Sequence, residues 1–112
     1  MSLRRLCAAA EIPEGQGRGF VFGGGTERQS VFVIRWQGRL HAYRNQCPHV
    51  GVPIDWPENR FFDRDGRYLM CGMHGAVFRP EDGLCIEGPC QGRSLAPVAL
   101  RFDQDEIFMV EA

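Results

Sequence analysis

Residues 30–36 read Ser-Val-Phe-Val-Ile-Arg-Trp and residues 39–43 read Arg-Leu-His-Ala-Tyr, with only Gln37 and Gly38 between them. Two β-branched and aromatic runs joined by a dipeptide whose glycine accepts positive φ predict a tight hairpin. A second hairpin is expected near the end, where residues 98–102 and 106–110 flank the polar tripeptide Asp103-Gln104-Asp105. Elsewhere, 14 glycines and 7 prolines cut the chain into short pieces without helical periodicity, so the pattern predicts an all-β fold.

Two early glycine clusters do not change that picture. Gly15-Gln16-Gly17-Arg18-Gly19 lacks the G-x-G-x-x-G spacing and leads into a strand-like Phe20-Val21-Phe22 rather than a helix, which argues against a phosphate loop. Gly23-Gly24-Gly25 reads as a loop between strands. The stretch 50–70 differs in kind: Pro53, Asp55, Pro57, Glu58, Asn59, Asp63, Asp65 and Gly66 make it a long, turn-rich excursion. A loop of that length in a small domain usually serves a function. Its apolar residues Ile54, Trp56, Phe61 and Phe62 supply either a docking patch or a small core of the excursion itself. Its acidic residues alternate with Arg60, Arg64 and Arg67, as in a solvated loop with no directed field.

A chain of 112 residues supports one domain, residues 1–112, and is short for a redox enzyme with separate cofactor and substrate domains. The formal net charge of −1, from 13 basic and 14 acidic residues, offers no footprint for nucleic acid. No apolar run is long enough to span a membrane, and Leu6-Cys7-Ala8-Ala9-Ala10 is too short for a signal peptide core. A cytoplasmic location is the expectation. Thiols stay reduced there, so five cysteines invite a metal reading.

Cys47-Pro48-His49 and Cys71-Gly72-Met73-His74 form two ligand pairs, C-x-H and C-x-x-H, each in a loop rich in Gly and Pro. A tight turn can aim neighbouring side chains at one centre where a regular strand sends them to opposite faces. Two centres fit the donor set. One is a redox-silent Cys2His2 zinc site, although zinc fingers usually pair cysteine with cysteine and histidine with histidine. The other is a two-iron cluster with cysteines on one iron and histidines on the other, which suits one of each per arm.

Cys47-Pro48-His49-Val50-Gly51 and Cys71-Gly72-Met73-His74-Gly75-Ala76 resemble the two ligand boxes of Rieske 2Fe-2S proteins. The resemblance runs on through Ala42-Tyr43-Arg44-Asn45-Gln46 before the first box and through Phe78, Gly83, Cys85 and Gly88-Pro89-Cys90 after the second. It implies an antiparallel β-sandwich with an inserted cluster-binding subdomain at about residues 46–90, and one 2Fe-2S cluster per chain. By the same resemblance, Cys47 and Cys71 bind the inner iron, and His49 and His74 bind the outer iron near the exposed tip.

Two thiolates and two neutral imidazoles leave the oxidised cluster near zero charge, so it accepts an electron more readily than a four-thiolate cluster does. High-potential Rieske proteins of respiratory chains carry a further cysteine in each box, joined as a disulfide; Val52 and Met73 stand there in this chain. Those proteins also place a serine and a tyrosine after the second histidine, where this chain has Ala76 and Phe78. Neither residue can donate a hydrogen bond to the cluster, which implies a potential near the lower end of the family range.

The implied role is one-electron transfer by a soluble ferredoxin between a flavoprotein reductase and a terminal oxidoreductase such as a dioxygenase. The alternative is a Rieske-like subunit of a larger reductase, similar to the small subunit of nitrite reductase. The remaining cysteines and histidine read as structural. His41 is an ordinary strand side chain, Cys7 is buried, and Cys85 and Cys90 are thiols packed near the Gly88-Pro89 loop, with a reversible disulfide as the competing possibility.

Overall fold

The computed structural model describes residues 2–23, 28–48, 52–55, 60–72 and 75–111. Strands run in the order β1 (Ser2–Ala8), β2 (Gly17–Phe22), β3 (Gln29–Trp36), β4 (Arg39–Arg44), β5 (Leu69–Met70), β6 (Val77–Phe78), β7 (Cys85–Glu87), β8 (Leu100–Asp103) and β9 (Glu106–Glu111). Among the described residues they form three antiparallel sheets, ordered β1-β9-β8, β2-β3-β4 and β5-β6-β7. The all-β expectation holds. No helix among the described residues is long and apolar enough to cross a membrane.

The first expected hairpin is β3 and β4, paired from Val31 opposite Arg44 to Trp36 opposite Arg39. Gln37 and Gly38 both take positive φ, 51° and 77°, the backbone of a turn whose twist matches the flanking strands. The Glu14 carboxylate accepts hydrogen bonds from both turn N–H groups, at 2.7 and 2.8 Å. The second hairpin is tighter than its tripeptide suggested. Asp103 pairs with Glu106, so the loop is only Gln104-Asp105, with φ of 49° and 67°. Its first arm starts at Leu100 because the preceding residues are held by β4: Pro97 bridges Tyr43, and the Val98 N–H donates to the Ala42 carbonyl at 2.9 Å.

Strand β1 carried no clear signal in the sequence. Its register against β9 slips between Arg5 and Cys7, and this bulge turns both Leu6 and Cys7 inward. Cys7 is buried as expected, and burial pushes its thiol pKa up. Between β1 and β2, the Arg35 guanidinium donates to the Ile12 and Ala9 carbonyls at 2.6 and 2.8 Å, fixing the connection. The stretch from Gly17 enters β2, not a phosphate loop. Of the triple glycine, Gly23 is a bend with φ 70°, whereas Gly24 and Gly25 lie outside the described residues.

The period of two along β3 builds two cores. Val31 and Val33 point into one, shared with Leu6, Cys7, Ile107 and Met109 of the β1-β9-β8 sheet. Phe32 and Ile34 point into the other, shared with Ile54, Phe61, Phe62, Leu69 and Phe78. This is why the run Val-Phe-Val-Ile is apolar without alternation: both faces are covered. Ile54, Phe61 and Phe62 are 0%, 6% and 8% exposed, so they belong to the core; Trp56 lies outside the described residues.

Tyr43 pins the β5-β6-β7 region to β4. Its hydroxyl donates to the Pro80 carbonyl at 2.6 Å, and the ring abuts Gly83. Gly83 has φ +75°, and a Cβ there would lie 2.8 Å from the Tyr43 ring. Gly83→Ala therefore combines a left-handed backbone with overpacking and is expected to cost about 2–4 kcal/mol, read as a lower urea midpoint. Burial, followed by the nearby Asp82 and Glu81 carboxylates, pushes the Tyr43 pKa well above its usual value of 10.0. Above pH 10 the unfolded chain releases this proton while the folded protein keeps it, so stability falls as pH rises, by at most about 1.4 kcal/mol per unit. Denaturation from pH 8 to about 11 is expected to show that extra loss in the wild type and not in Tyr43→Phe.

Candidate metal centre

Strand β4 delivers the first loop. The Asn45 N–H donates to the Ser30 carbonyl at 2.8 Å, and the chain then turns away from the sheet toward Cys47. The Asn45 side chain is buried and engaged at both ends: Oδ1 accepts from the Ile54 N–H at 2.8 Å, and Nδ2 donates to Asp55 Oδ1 at 3.0 Å. It therefore ties residues 54 and 55 to the base of the loop. The Cys47 N–H closes the loop by donating to the Val52 carbonyl at 2.7 Å.

The second loop repeats this closure. It leaves β5 at Cys71, whose N–H donates to the Ala76 carbonyl at 2.8 Å, again five residues on. Gly75, with φ 71°, returns its N–H to the Cys71 carbonyl at 2.9 Å. The Gly72 N–H donates to the Ile54 carbonyl at 3.0 Å and joins the second loop to the first. Cys47 and Cys71 are 1% and 0% exposed and lie in one core. Of the predicted ligand set, the structure thus brings both cysteines into equivalent, interlinked loops. His49 and His74 lie outside the described residues, as do Val50, Gly51 and Met73.

A third loop packs on these two. Gly88 has φ +101°, and a Cβ there would stand 2.8 Å from Ala76 Cα, so only glycine lets this loop rest on the second box. Arg93 Nη1 reaches the Pro48 carbonyl at 3.2 Å. Cys85 and Cys90 are buried close to the first box: the Cys90 thiol donates to Cys85 Sγ at 3.2 Å, and the Cys85 thiol donates to the Glu87 carbonyl at 3.2 Å. Burial, with Cys85 and Cys47 alongside, pushes the Cys90 pKa up to about 12. The packing expected for these thiols is present, but as a specific sulfur contact next to Cys47. His41 sits half-buried on β4 opposite Ile34, where desolvation lowers its pKa; it is a strand side chain as expected.

Two roles escaped the sequence. Asn45 had no signal beyond its place in the resemblance, because its partners Ile54 and Asp55 are fixed only by the fold. Arg93 likewise has no local pattern linking it to Pro48.

Two buried thiols on paired loops suit a group that takes them as thiolates, since iron compensates charges that would otherwise be costly to bury. Ala76 and Phe78 are both fully buried and bring no hydroxyl to the centre. The described residues therefore fit the cysteine side of a 2Fe-2S cluster. When bound, that cluster supplies one-electron oxidation and reduction, and the chain's part is to hold the loops, exclude water and set the polarity around the sulfurs.

Comparison with known proteins agrees. The Rieske [2Fe-2S] domain family matches residues 2–103. The vanillate O-demethylase oxygenase subunit of Pseudomonas sp. (strain HR199 / DSM 7063) is 36% identical over 66 residues, 59% of this chain and 14% of that protein. Among solved structures, the complex of reduced oxygenase and oxidised ferredoxin in carbazole 1,9a-dioxygenase superposes with a TM-score of 0.75 and 20% identity. That match covers 96% of this chain and 91% of the other. The terminal oxygenase of carbazole 1,9a-dioxygenase from Novosphingobium sp. KA1 gives 0.77 and 19%, covering 96% of this chain and 29% of the other. The chain thus spans only a small part of the curated relative and of the oxygenase, and the structural matches speak for the fold. On the family match and the paired cysteine loops, this chain belongs to the Rieske [2Fe-2S] domain family, which implies a 2Fe-2S cluster as its cofactor.

Proposed function

We propose that this chain is a Rieske-type ferredoxin that carries one electron at a time from a flavoprotein reductase to a terminal oxidoreductase such as a ring-hydroxylating dioxygenase. In this reading Cys47 and Cys71 hold the inner iron, His49 and His74 hold the outer one, and residues 46–90 form the cluster-binding subdomain. The observation that carries it is the pair of like loops. Buried Cys47 and Cys71 each close a five-residue backbone bond, the loops are joined through Ile54, and the whole is seated on the outer face of β3 and β4.

A structural match to one chain of an oxygenase and ferredoxin complex supports the carrier reading. A solved oxygenase and ferredoxin complex of carbazole 1,9a-dioxygenase contains a chain that this one covers to 91%. Similarity to the 66-residue stretch of the vanillate O-demethylase oxygenase subunit supports a second reading, a domain that feeds electrons to a catalytic iron. Reconstitution separates the two: a carrier restores turnover when added to a reductase and an oxygenase that lack it, and a mixture that stays inactive at every dose overturns the carrier role.

The cluster ligands are read directly by spectroscopy. Cys47→Ala, Cys71→Ala, His49→Ala and His74→Ala are each expected to abolish the Rieske EPR signal of the dithionite-reduced protein. A variant that keeps the wild-type signal removes its residue from the ligand set. Because Ala76 and Phe78 are buried and offer no hydroxyl, a redox titration is expected to place the midpoint in the lower part of the family span of about −150 to +300 mV. A midpoint above about +100 mV contradicts the low-potential assignment.

A further inference from the structure

Electron transfer leaves Cys85 and Cys90 without a task. Both are buried, at 1% and 2% exposure, and their sulfurs are 3.2 Å apart. The arms that carry them are already held together by backbone hydrogen bonds. The Cys85 N–H donates to the Arg93 carbonyl at 2.7 Å, the Gly92 N–H donates to the Cys85 carbonyl at 3.0 Å, and Leu84 bridges Ser94. A disulfide needs its sulfurs at about 2.05 Å, so the two side chains must close by only about 1.2 Å between arms that are already in place.

We propose that Cys85 and Cys90 form a reversible disulfide beside the cluster loops, closed by exchange with a low-molecular-weight disulfide. In the first step the thiolate of one cysteine attacks a sulfur of the reagent, whose S–S bond breaks and releases one small thiol. In the second, the other cysteine attacks the mixed disulfide, forming the Cys85–Cys90 bond and releasing the second small thiol. Two protein thiols are oxidised and one small disulfide is reduced to two thiols, which carry away the two protons. A dithiol reverses both steps. The exposed turn of Glu87, Gly88 and Pro89 between the two cysteines is where local opening admits the reagent.

The closed bond tethers the base of the loop whose Gly88 rests on Ala76, and so connects thiol redox state to the second ligand loop. Cys47 competes for the same partner, since its thiol lies beside Cys90. Cluster ligation withdraws Cys47 from that competition, and this selectivity alone rests on the ligand assignment proposed above.

The test uses the cluster-loaded protein, treated with oxidised glutathione, alkylated, digested and read by mass spectrometry, with a parallel sample returned to dithiothreitol. Cys85 and Cys90 are expected to lose alkylation together and to appear as one linked peptide pair. Cluster absorption is expected to persist, and dithiothreitol to restore both thiols. Cys85→Ser is expected to abolish the link while the cluster remains. Two cysteines that stay fully alkylatable after oxidation, or a Cys47–Cys90 link accompanied by bleaching of the cluster, overturn the proposal. Cys47→Ala separates the two readings. A variant that keeps its cluster refutes the ligand assignment alone, and a cluster-free variant that fails to form the Cys85–Cys90 link refutes the disulfide alone.

Discussion

The ring of Phe32 stacks on that of Phe61, with centroids 4.6 Å and planes 20° apart, and this contact seats the long excursion on the β2-β3-β4 sheet. Phe32 is wholly buried and Phe61 nearly so. Such an offset aromatic pair adds roughly 0.5–1.5 kcal/mol to the gain from burying the rings themselves. The same strand sends Val31 and Val33 to the opposite core, so one eight-residue element serves as the wall between framework and metal centre. Removing either face of β3 opens the core which that face lines. The loops that carry Cys47 and Cys71 therefore depend on residues with no chemistry of their own.

Polar contacts then set what the apolar ones only bring near. Tyr43 pins Pro80, Asn45 pins Ile54 and Asp55, and Arg93 pins Pro48, each reaching from the framework or the third loop toward the ligand loops. Asn45 is buried with both ends of its amide satisfied, which gives its position a direction as well as an attraction. Hydrophobic burial decides that the excursion folds back. These hydrogen bonds decide where it stops.

Much of this was legible because it is local. The β3–β4 hairpin follows from β-branched and aromatic runs on either side of Gln37-Gly38, and the two ligand boxes are contiguous motifs. What was not legible depends on distant partners. The inward turn of both Leu6 and Cys7 needs a bulge that appears only against β9. The two-residue turn at Gln104-Asp105 relies on non-glycine residues accepting positive φ, a choice made by strand twist and not by composition. Ile54, Phe61 and Phe62 read equally as patch or core until the outer face of β3 was there to cover them. The contact between Cys85 and Cys90 was visible as a spacing, but its proximity to Cys47 belongs to the fold.

The like closure of the two ligand loops bears on how fast a centre between them can work. Each loop is locked by its own backbone bond, from Cys47 to Val52 and from Cys71 to Ala76, and Ile54 accepts a third bond that couples them. A charge that arrives and leaves within such a frame meets dipoles already in place, so few nuclei need to shift between oxidation states. For the carrier proposed above, a frame fixed in this way favours a small reorganisation energy and would leave the rate to the distance and orientation of its partner.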